Sequence, residues 1–394
     1  MLGALLSLAL LADAPGDTAD PTGTVTPPPP VSRSAEPGAH FAALPLVSYG
    51  SDIGTQLGAV LYVYDVDQDG ERADWGALGL SWATHGPRSA EVKAELFHLG
   101  GTQLRTFVQL KMSLDTTAPY WGEGASLVGP GIVPAVAPGA GTPPPPYRYQ
   151  AVAPWISWIL RGPLAGGVEW WTRLRTTHVS VEDPAPLLTL SAPPGVHGGT
   201  STLVHLGVVY DTRDRLASPR RGVLADASVF GSPPVPALTS FVLGGFDVGV
   251  RGYFEPWKGA VLAGRVLYDL KVGDVPFFER NLYEGIGYGE GLGGSGTIRG
   301  LARDRLSGEE KILAGFELRT YLVQSRWFGR QQDWGVSAGA DAGRARDRWH
   351  PPVFAAGAFG GLRMMWDRAV VIRFEVGDAG QGAPAYYVAF DEAF

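Results

Sequence analysis

The stretch Gln103–Leu114, which reads QLRTFVQLKMSL, alternates between apolar and polar side chains. Successive side chains of a β-strand point to opposite faces, so residues two positions apart share a face. One face then carries Leu104, Val108, Leu110, Met112 and Leu114, and the other carries Gln103, Arg105, Gln109, Lys111 and Ser113. The pattern predicts a strand with one apolar face and one polar face.

The same alternation recurs from residue 41 to residue 394. The stretches 91–96 and 370–376, for example, place apolar residues on one parity and charged residues on the other. We count about sixteen candidate strands, many near the ~9 to 11 residues that a tilted membrane strand requires. They centre near residues 45, 60, 80, 94, 108, 154, 173, 206, 226, 248, 266, 317, 338, 360, 373 and 389.

The connections between these strands differ in length in a regular way. The long connections, 115–147, 181–200, 273–310 and 344–353, all fall on one side if consecutive strands run antiparallel. Alternation alone is also typical of a soluble sandwich, but long loops on one side and short turns on the other are typical of outer-membrane barrels. We therefore predict an all-β fold, a transmembrane antiparallel β-barrel of about sixteen strands with a long loop folded into the lumen.

Composition argues against several other classes of protein. Apolar residues make up 45% of the chain, but no uninterrupted apolar stretch approaches the roughly 20 residues of a membrane-spanning helix. The 55 glycines and 32 prolines favour short strands joined by tight turns. The formal charge of −7, without any basic run, argues against nucleic acid as a partner.

No group of residues indicates catalysis, a metal or a cofactor. The seven histidines are scattered and lack the spacing of metal ligands. The stretch 65–70 begins like a calcium loop, but its twelfth position is Gly76 instead of a bidentate glutamate, which favours an acidic turn. No nucleophile and base stand in a recognisable pattern. We expect no catalytic residues, no metal site, no cofactor and no enzyme activity.

The two ends of the chain carry their own signals. Residues 2–11 are apolar and precede Ala12-Asp13-Ala14, which predicts a signal peptide over 1–14, although an apolar tail or a misassigned start codon would look similar. Residues 15–38 are rich in proline and predict an extended linker, which leaves 39–394 for the barrel. The chain ends with Tyr386, Val388, Phe390 and Phe394 on one parity, which resembles the C-terminal targeting signal of outer-membrane barrels, although Glu392 shares that parity.

Glycine is concentrated between Gly285 and Lys311. Gly289, Gly291 and Gly294 have the spacing of a dinucleotide-binding loop, but that loop needs a following helix, and nothing here predicts one. Dense glycine instead indicates a loop that approaches other backbone closely. Within it, the tetrad Ile298-Arg299-Gly300-Leu301 resembles the loop tetrad of BamA-like assembly factors and two-partner secretion transporters.

Three further stretches support this resemblance, in the order that the family has them. The stretch 315–319 resembles the family's twelfth strand, and 339–343 resembles an aromatic-x-Asp-x-Gly motif in which Gly339 replaces the aromatic residue. The residues that resemble the family's signature at a periplasmic turn are Asp211, Arg213, Asp214, Pro219 and Gly222. Together the matches cover roughly residues 205–394.

Alternation gives the tetrad a physical role. Glu317 and Asp341 lie on the parity opposite to their apolar neighbours, so both carboxylates should face the lumen. A guanidinium bonds carboxylates through a rigid fork, so Arg299 can bridge the two and hold the loop inside the barrel. The alternative is that Arg299 is a solvated loop residue.

The resemblance implies insertion or translocation of polypeptides at the outer membrane of a Gram-negative bacterium, through a weak seam between the first and last strands. It also implies periplasmic POTRA domains of ~75 residues, for which the linker 15–38 is too short. The alternatives are a POTRA-less channel or structural barrel, and a barrel served by a separate periplasmic POTRA-like or chaperone protein. We expect a monomer that contacts outer-membrane lipid, with a periplasmic N-terminus.

Overall fold

A computed structural model describes residues 38–66, 73–122, 147–215, 218–286, 291–327, 330–348, 351–366, 370–380 and 383–390. The predicted signal peptide, the predicted linker up to residue 37, residues 67–70 of the calcium-like stretch, and Phe394 lie outside these ranges, whereas Gly38, the last residue of the predicted linker, begins β1. The strands are β1 (Gly38–Gly50), β2 (Gly54–Val66), β3 (Ala73–Ala83), β4 (Pro87–Leu96), β5 (Arg105–Pro119), β6 (Arg148–Ala165), β7 (Val168–Asp183), β8 (Gly198–Asp211), β9 (Gly222–Gly231), β10 (Leu243–Trp257), β11 (Ala260–Gly273), β12 (Glu310–Trp327), β13 (Arg330–Arg346), β14 (Val353–Trp366), β15 (Val370–Asp378) and β16 (Ala385–Ala389).

These sixteen strands close into one antiparallel barrel, in which each strand pairs with its neighbours in sequence and β1 pairs with β16. The predicted barrel is therefore confirmed, and every predicted strand centre falls within an observed strand. Two short helices, α1 (Pro186–Ser191) and α2 (Phe277–Arg280), lie in connections. In the described part of the chain, no helix has both the length and the apolar character needed to cross a membrane.

The alternation of the sequence appears in the barrel wall as two different faces. In β5, Leu110 and Met112 are 47% and 52% exposed on the outer face. Gln109, which precedes Leu110, is fully buried on the inner face. Across the closed sheet, exposed apolar side chains share the outward parity and buried charged side chains share the inward parity. The polar face of the sequence pattern therefore lines the interior.

The connections divide the barrel into two ends. At the long-loop end lie the connections 120–147, 184–197, 232–242 and 274–309, and at the short-turn end lie turns such as 166–167 and 258–259. Gly38, where β1 begins, lies at the short-turn end because it pairs with Val66. Several strands are longer than the sequence predicted, because hairpins such as β12–β13 remain paired to Trp327 and Arg330, past the start of β11.

The long-loop end is covered by apolar side chains from several connections. Phe277 of α2 makes edge-to-face contacts with Tyr120 and Tyr149, with ring centroids 5.6 and 5.3 Å apart. Leu187 and Leu188 of α1 pack into the same cluster. Aromatic contacts of this kind stabilise the packing of loops that lack regular hydrogen bonding.

The seam between β1 and β16 is short. β1 pairs with β2 along thirteen residues, from Gly38 to Gly50. Among the described residues, only two pairs join β1 to β16, Tyr49 with Val388 and Gly50 with Tyr387. The hydrogen-bonded wall of the barrel is therefore least extensive at this seam within the described part of the chain.

Candidate functional site

The connection between β11 and β12 packs against the inward-facing side chains of the wall. Ile298 and Leu301 of the tetrad are 0% and 1% exposed, and they belong to an apolar cluster with Leu267 of β11, Leu313 of β12 and Ala345 of β13. These contacts place the tetrad beside the strands on which the two expected acidic partners lie. We refer to residues 274–309 as the inner loop, of which 274–286 and 291–309 are described.

Arg299 is fully buried and donates three hydrogen bonds to Asp341 of β13. Its Nε lies 2.8 Å from Asp341 Oδ2, its Nη2 lies 3.3 Å from Oδ1, and its backbone nitrogen lies 3.3 Å from Oδ2. A two-pronged bond between a guanidinium and a carboxylate fixes the orientation of both groups. The position of the inner loop is thereby tied to one residue of β13.

Two further carboxylates complete the arrangement. Arg299 Nη1 donates to Glu317 Oε2 at 3.0 Å and to Glu375 Oε1 at 3.3 Å. Burial by itself lowers the pKa of Arg299, but the nearby Asp341, Glu375 and Glu317 outweigh it and raise the pKa above its ordinary value. Sequence reasoning named Glu317 and Asp341 and missed Glu375, whose inward parity was visible but whose closeness to the loop was not. The cation is therefore stabilised by three acids from three strands.

Each of these three carboxylates also interacts with at least one other arginine. Glu317 Oε1 accepts from Arg319 and from Arg363, both at 2.9 Å, and Glu375 Oε2 accepts from Arg373 at 2.7 Å. Asp341 lies 3.4 Å from a nitrogen of Arg265. Buried charges are tolerated only when they are paired and hydrogen-bonded, and this network supplies such partners to all three carboxylates.

Gly339 stands where the family motif has an aromatic residue. An aromatic ring from the next strand, β14, lies beside it. A Cβ added at Gly339 would lie 2.7 Å from the ring of Phe359 on β14, so this ring occupies the space beside the glycine. The guanidinium carbon of Arg299 lies 3.1 Å from the centroid of that ring. A ring face attracts a desolvated cation. The departure from the family pattern is thus accompanied by an aromatic contact from Phe359.

Gly300 links the inner loop to the last strand. It has a φ of +94°, and an added Cβ would lie 2.5 to 2.6 Å from three backbone atoms of Asp378, at the end of β15. Its backbone nitrogen donates to the hydroxyl of Tyr387 on β16 at 3.1 Å. Tyr387 is also the residue that pairs with Gly50 across the seam. The tetrad therefore touches the strand that closes the barrel.

A second group of ion pairs holds the beginning of the inner loop to β7 and β11. Glu284 Oε1 lies 2.9 Å from a nitrogen of Arg175 on β7 and 3.0 Å from Lys271 Nζ on β11, and Glu279 Oε2 lies 2.6 Å from Arg175. Burial raises the pKa of Glu284, but Arg175 and Lys271 outweigh it and hold the pKa well below its usual range. No motif in the sequence marked these residues as partners.

A third contact joins the inner loop to β5. Arg303 Nη2 lies 2.8 Å from Asp115 Oδ2, and the backbone oxygen of Arg303 accepts a hydrogen bond from Trp121 Nε1 at 2.9 Å. The inner loop is therefore bonded to β5, β7, β11, β12, β13 and β15, on different sides of the barrel. The described part of the inner loop thus contacts inward-facing side chains of several strands.

The turn motif between β8 and β9 lies at the short-turn end. Arg213 Nη2 lies 2.7 Å from Asp211 Oδ2, and Asp214 Oδ1 accepts from the backbone nitrogens of Arg220 and Arg221 at 2.8 and 3.1 Å. Gly222 has a φ of +105°, and a Cβ there would lie 2.2 Å from the backbone oxygen of Thr212. Pro219 is buried within the same turn. Asp211, Arg213 and Asp214 thus stabilise the turn through hydrogen bonds. Gly222 allows the close approach of backbone within it.

The C-terminal residues lie partly outside the described ranges. Tyr386 is 54% exposed on the outer face of β16, and Val388 and Phe390 are partly exposed. Phe394 is not among the described residues. In the described ranges, no three or more His, Asp or Glu side chains gather in a group that could hold a metal ion.

The fold and this site define a class of protein, a sixteen-stranded barrel with an inner loop held by a buried arginine. No protein-family model matches the chain, and no curated protein matches it. Its fold is that of BamA-like barrels. A BamA structure from Haemophilus ducreyi that lacks POTRA domains 1–3 matches with a TM-score of 0.58 and 13% identity, over 90% of this chain and 70% of that one.

Two CdiB structures give similar matches. The one from Escherichia coli has a TM-score of 0.58 and 13% identity, over 91% of this chain, and the one from Acinetobacter baumannii has a TM-score of 0.50 and 12% identity, over 91% of this chain. This chain spans 64% and 60% of those two chains, respectively. At these identities the likeness establishes the shared fold.

Proposed function

We propose that this protein is an integral outer-membrane barrel that inserts polypeptides into the outer membrane of a Gram-negative bacterium or translocates them across it. The observation that carries the proposal is the short seam, with two residue pairs between β1 and β16 among the described residues. Each residue pair contributes backbone hydrogen bonds, so within the described part of the chain these two strands cost less to separate than the more extensively paired neighbours. A wall that opens at one place gives a polypeptide access to the lipid phase.

The outer surface of the barrel suits the proposed location. Its exposed side chains include Leu110, Phe254, Trp257 and Phe316, a mixture of aliphatic and aromatic residues that matches hydrocarbon and its interfaces. With short turns in the periplasm and long loops outside, β1 begins on the periplasmic side. The apolar residues 2–11 and Ala12-Asp13-Ala14 would direct export, and the outer-membrane lipid would be the immediate partner.

Capture of substrate is assigned in this proposal to a separate periplasmic protein of the POTRA or chaperone kind. The described residues belong to the barrel wall and its connections, beginning with β1 at Gly38, so none of them forms a separate module for substrate capture. We further propose that the barrel acts as a monomer and has no enzymatic activity. The alternative, a passive channel, requires an open lumen, and the buried ion pairs of the inner loop oppose this reading.

Locking the seam should abolish the proposed activity. The chain has no cysteine, so the double variant Tyr49→Cys and Val388→Cys places the only two thiols on directly paired residues. Paired strand positions bring Cα atoms within the distance of a disulfide. We expect the oxidised variant to lose the ability to fold an added, unfolded outer-membrane protein in outer-membrane vesicles, which retain any partner. Reduction should restore it, and unheated gel mobility of the substrate measures both results.

The matched control places a disulfide in a fully paired part of the wall. Val248→Cys with Ala227→Cys joins β10 to β9 at directly paired residues, and it should leave activity unchanged in both redox states. Full activity of the oxidised Tyr49 and Val388 variant would contradict the proposal. A large steady conductance of the wild-type barrel in a planar bilayer would favour the passive channel instead.

A further inference from the structure

The turn between β8 and β9 bonds to a strand that is not its neighbour in the barrel wall. Ser218 of this turn is only 2% exposed, and its φ of +53° lies in the left-handed region, which residues other than glycine rarely adopt. Its hydroxyl lies 2.8 Å from the hydroxyl of Tyr321 on β12. Two strands, β10 and β11, lie between β9 and β12 in the wall, so this bond joins the turn to a strand with which neither β8 nor β9 pairs.

The Tyr321 hydroxyl also accepts a hydrogen bond from an arginine. Arg363 Nε on β14 donates to the Tyr321 hydroxyl at 3.2 Å, and Arg363 Nη2 lies 3.5 Å from the Ser218 hydroxyl. The other prong of the same guanidinium, Nη1, donates to Glu317 Oε1 at 2.9 Å. A guanidinium is planar and rigid, so fixing one edge of Arg363 also fixes the edge that faces Glu317.

Glu317 is the residue at which this chain of contacts meets the loop anchor. Its second oxygen, Oε2, accepts from Arg299 Nη1 at 3.0 Å. A continuous series of hydrogen bonds therefore joins the turn at the short-turn end to the tetrad of the inner loop. Because the two oxygens of one carboxylate move together, a shift of Arg363 changes the position of the acceptor that Arg299 uses.

We propose that Ser218 and Tyr321 are positioning residues, which set the strength of the Arg299 anchor from the short-turn end through Arg363 and Glu317. In this arrangement the β8–β9 turn is a regulatory element, since any event that withdraws Ser218 loosens the inner loop. The proposal deepens the proposed function by assigning its control to this turn, and it rests on that function only for its biological purpose. The coupling itself is a property of the folded barrel and can be measured without any substrate.

The first test removes one hydroxyl. Tyr321→Phe keeps the ring and deletes the bridge between Ser218 and Arg363, and Tyr253→Phe is the matched control. Tyr253 is a buried tyrosine of β10 whose hydroxyl has no hydrogen-bond partner among the described residues. In the purified full-length barrel in detergent, tryptic cleavage after Arg305 of the inner loop should rise about fivefold for Tyr321→Phe, as for loss of one hydrogen bond, and stay at the wild-type rate for Tyr253→Phe.

A second variant separates positioning from general stability. Ser218→Gly removes the hydroxyl but relieves the left-handed backbone, since glycine adopts a φ of +53° without strain. A purely structural turn predicts a neutral or more stable protein, whereas the proposal predicts faster cleavage after Arg305 in a barrel of at least wild-type heat resistance. Ser218→Ala removes the same hydroxyl without relieving the backbone, so it should be cleaved after Arg305 at least as fast as Ser218→Gly.

Combining variants tests whether the effect runs through the anchor. Tyr321→Phe added to Arg299→Ala should give no faster cleavage than Arg299→Ala alone, because the anchor is already lost. Additive effects, or wild-type cleavage in both Tyr321→Phe and Ser218→Gly, would overturn the coupling. If the locked seam leaves polypeptide insertion intact but Tyr321→Phe still frees the inner loop, the proposed function fails and the coupling stands; the reverse pair of results removes only the coupling.

Discussion

Replacement of Arg299 by alanine should release the inner loop and destabilise the barrel. Removing one partner of a buried ion pair costs about 3 to 5 kcal/mol, because the remaining charge stays desolvated. Glu317 and Glu375 would keep their close bonds to other arginines. The remaining contact of Asp341 within the described part of the chain, to Arg265, is 3.4 Å long, so Asp341 should be affected most. We expect faster tryptic cleavage after Arg305 and loss of the compact, unheated gel band at a lower temperature.

Two other substitutions provide comparisons for the effect of Arg299→Ala. Arg299→Lys keeps the charge but cannot bond Asp341 with two prongs while also reaching Glu317, so it should restore stability only in part. Arg303→Ala loses the ion pairs with Asp115 and Asp304, in which the arginine is 27% exposed, and partly exposed pairs contribute about 0 to 1 kcal/mol each. If Arg299→Ala matches the wild type in both assays, or loses no more stability than Arg303→Ala, the anchor does not hold the loop.

Replacement of Gly300 by alanine should release the inner loop while leaving every charge in place. The added methyl group would lie 2.5 to 2.6 Å from the backbone of Asp378, and backbone at the end of a paired strand cannot retreat as a side-chain tip can. The φ of +94° adds about 1 to 2 kcal/mol of conformational strain for a residue with a Cβ. We expect cleavage after Arg305 close to that of Arg299→Ala, and loss of the hydrogen bond to Tyr387.

The control for Gly300→Ala isolates the strain from the steric overlap. Gly380 also has a positive φ, +68°, but an added Cβ meets no atom within 4 Å. Gly380→Ala should therefore lower stability slightly and leave the inner loop protected. Equal protease sensitivity of the two alanine variants would show that close packing against Asp378 is unimportant for holding the loop.

The seam adds a second readout for both loop variants. Gly300 donates to Tyr387, and Tyr387 pairs with Gly50, so a displaced tetrad withdraws one bond from the strand that closes the barrel. A released loop and a weakened seam should therefore appear together. Spin labels on Tyr49 and Val388 would report the seam in the same preparations.

Alternation within the strands, together with the lengths of the connections, was enough to predict the barrel. In a strand of period two, each side chain's face follows from its parity, so Leu110 outside and Gln109 inside could be assigned without any tertiary information. The number and order of the strands followed in the same way, because each apolar stretch ended at a turn. The closeness of Arg299, Glu317 and Asp341 was predictable for a related reason, since the tetrad resembled a known loop and both acids had inward parity.

Contacts between distant strands were decided only by the closed barrel. Glu375 has the same inward parity as many other residues, and its position beside Arg299 depends on how far β15 is shifted along its neighbours. The same holds for Phe359, which occupies the space beside Gly339, and for the bond between Ser218 and Tyr321. Parity specifies the face of a residue but not its height in the barrel or its neighbour across the lumen. Those depend on strand stagger and on the path of the inner loop, which arise when all sixteen strands close together.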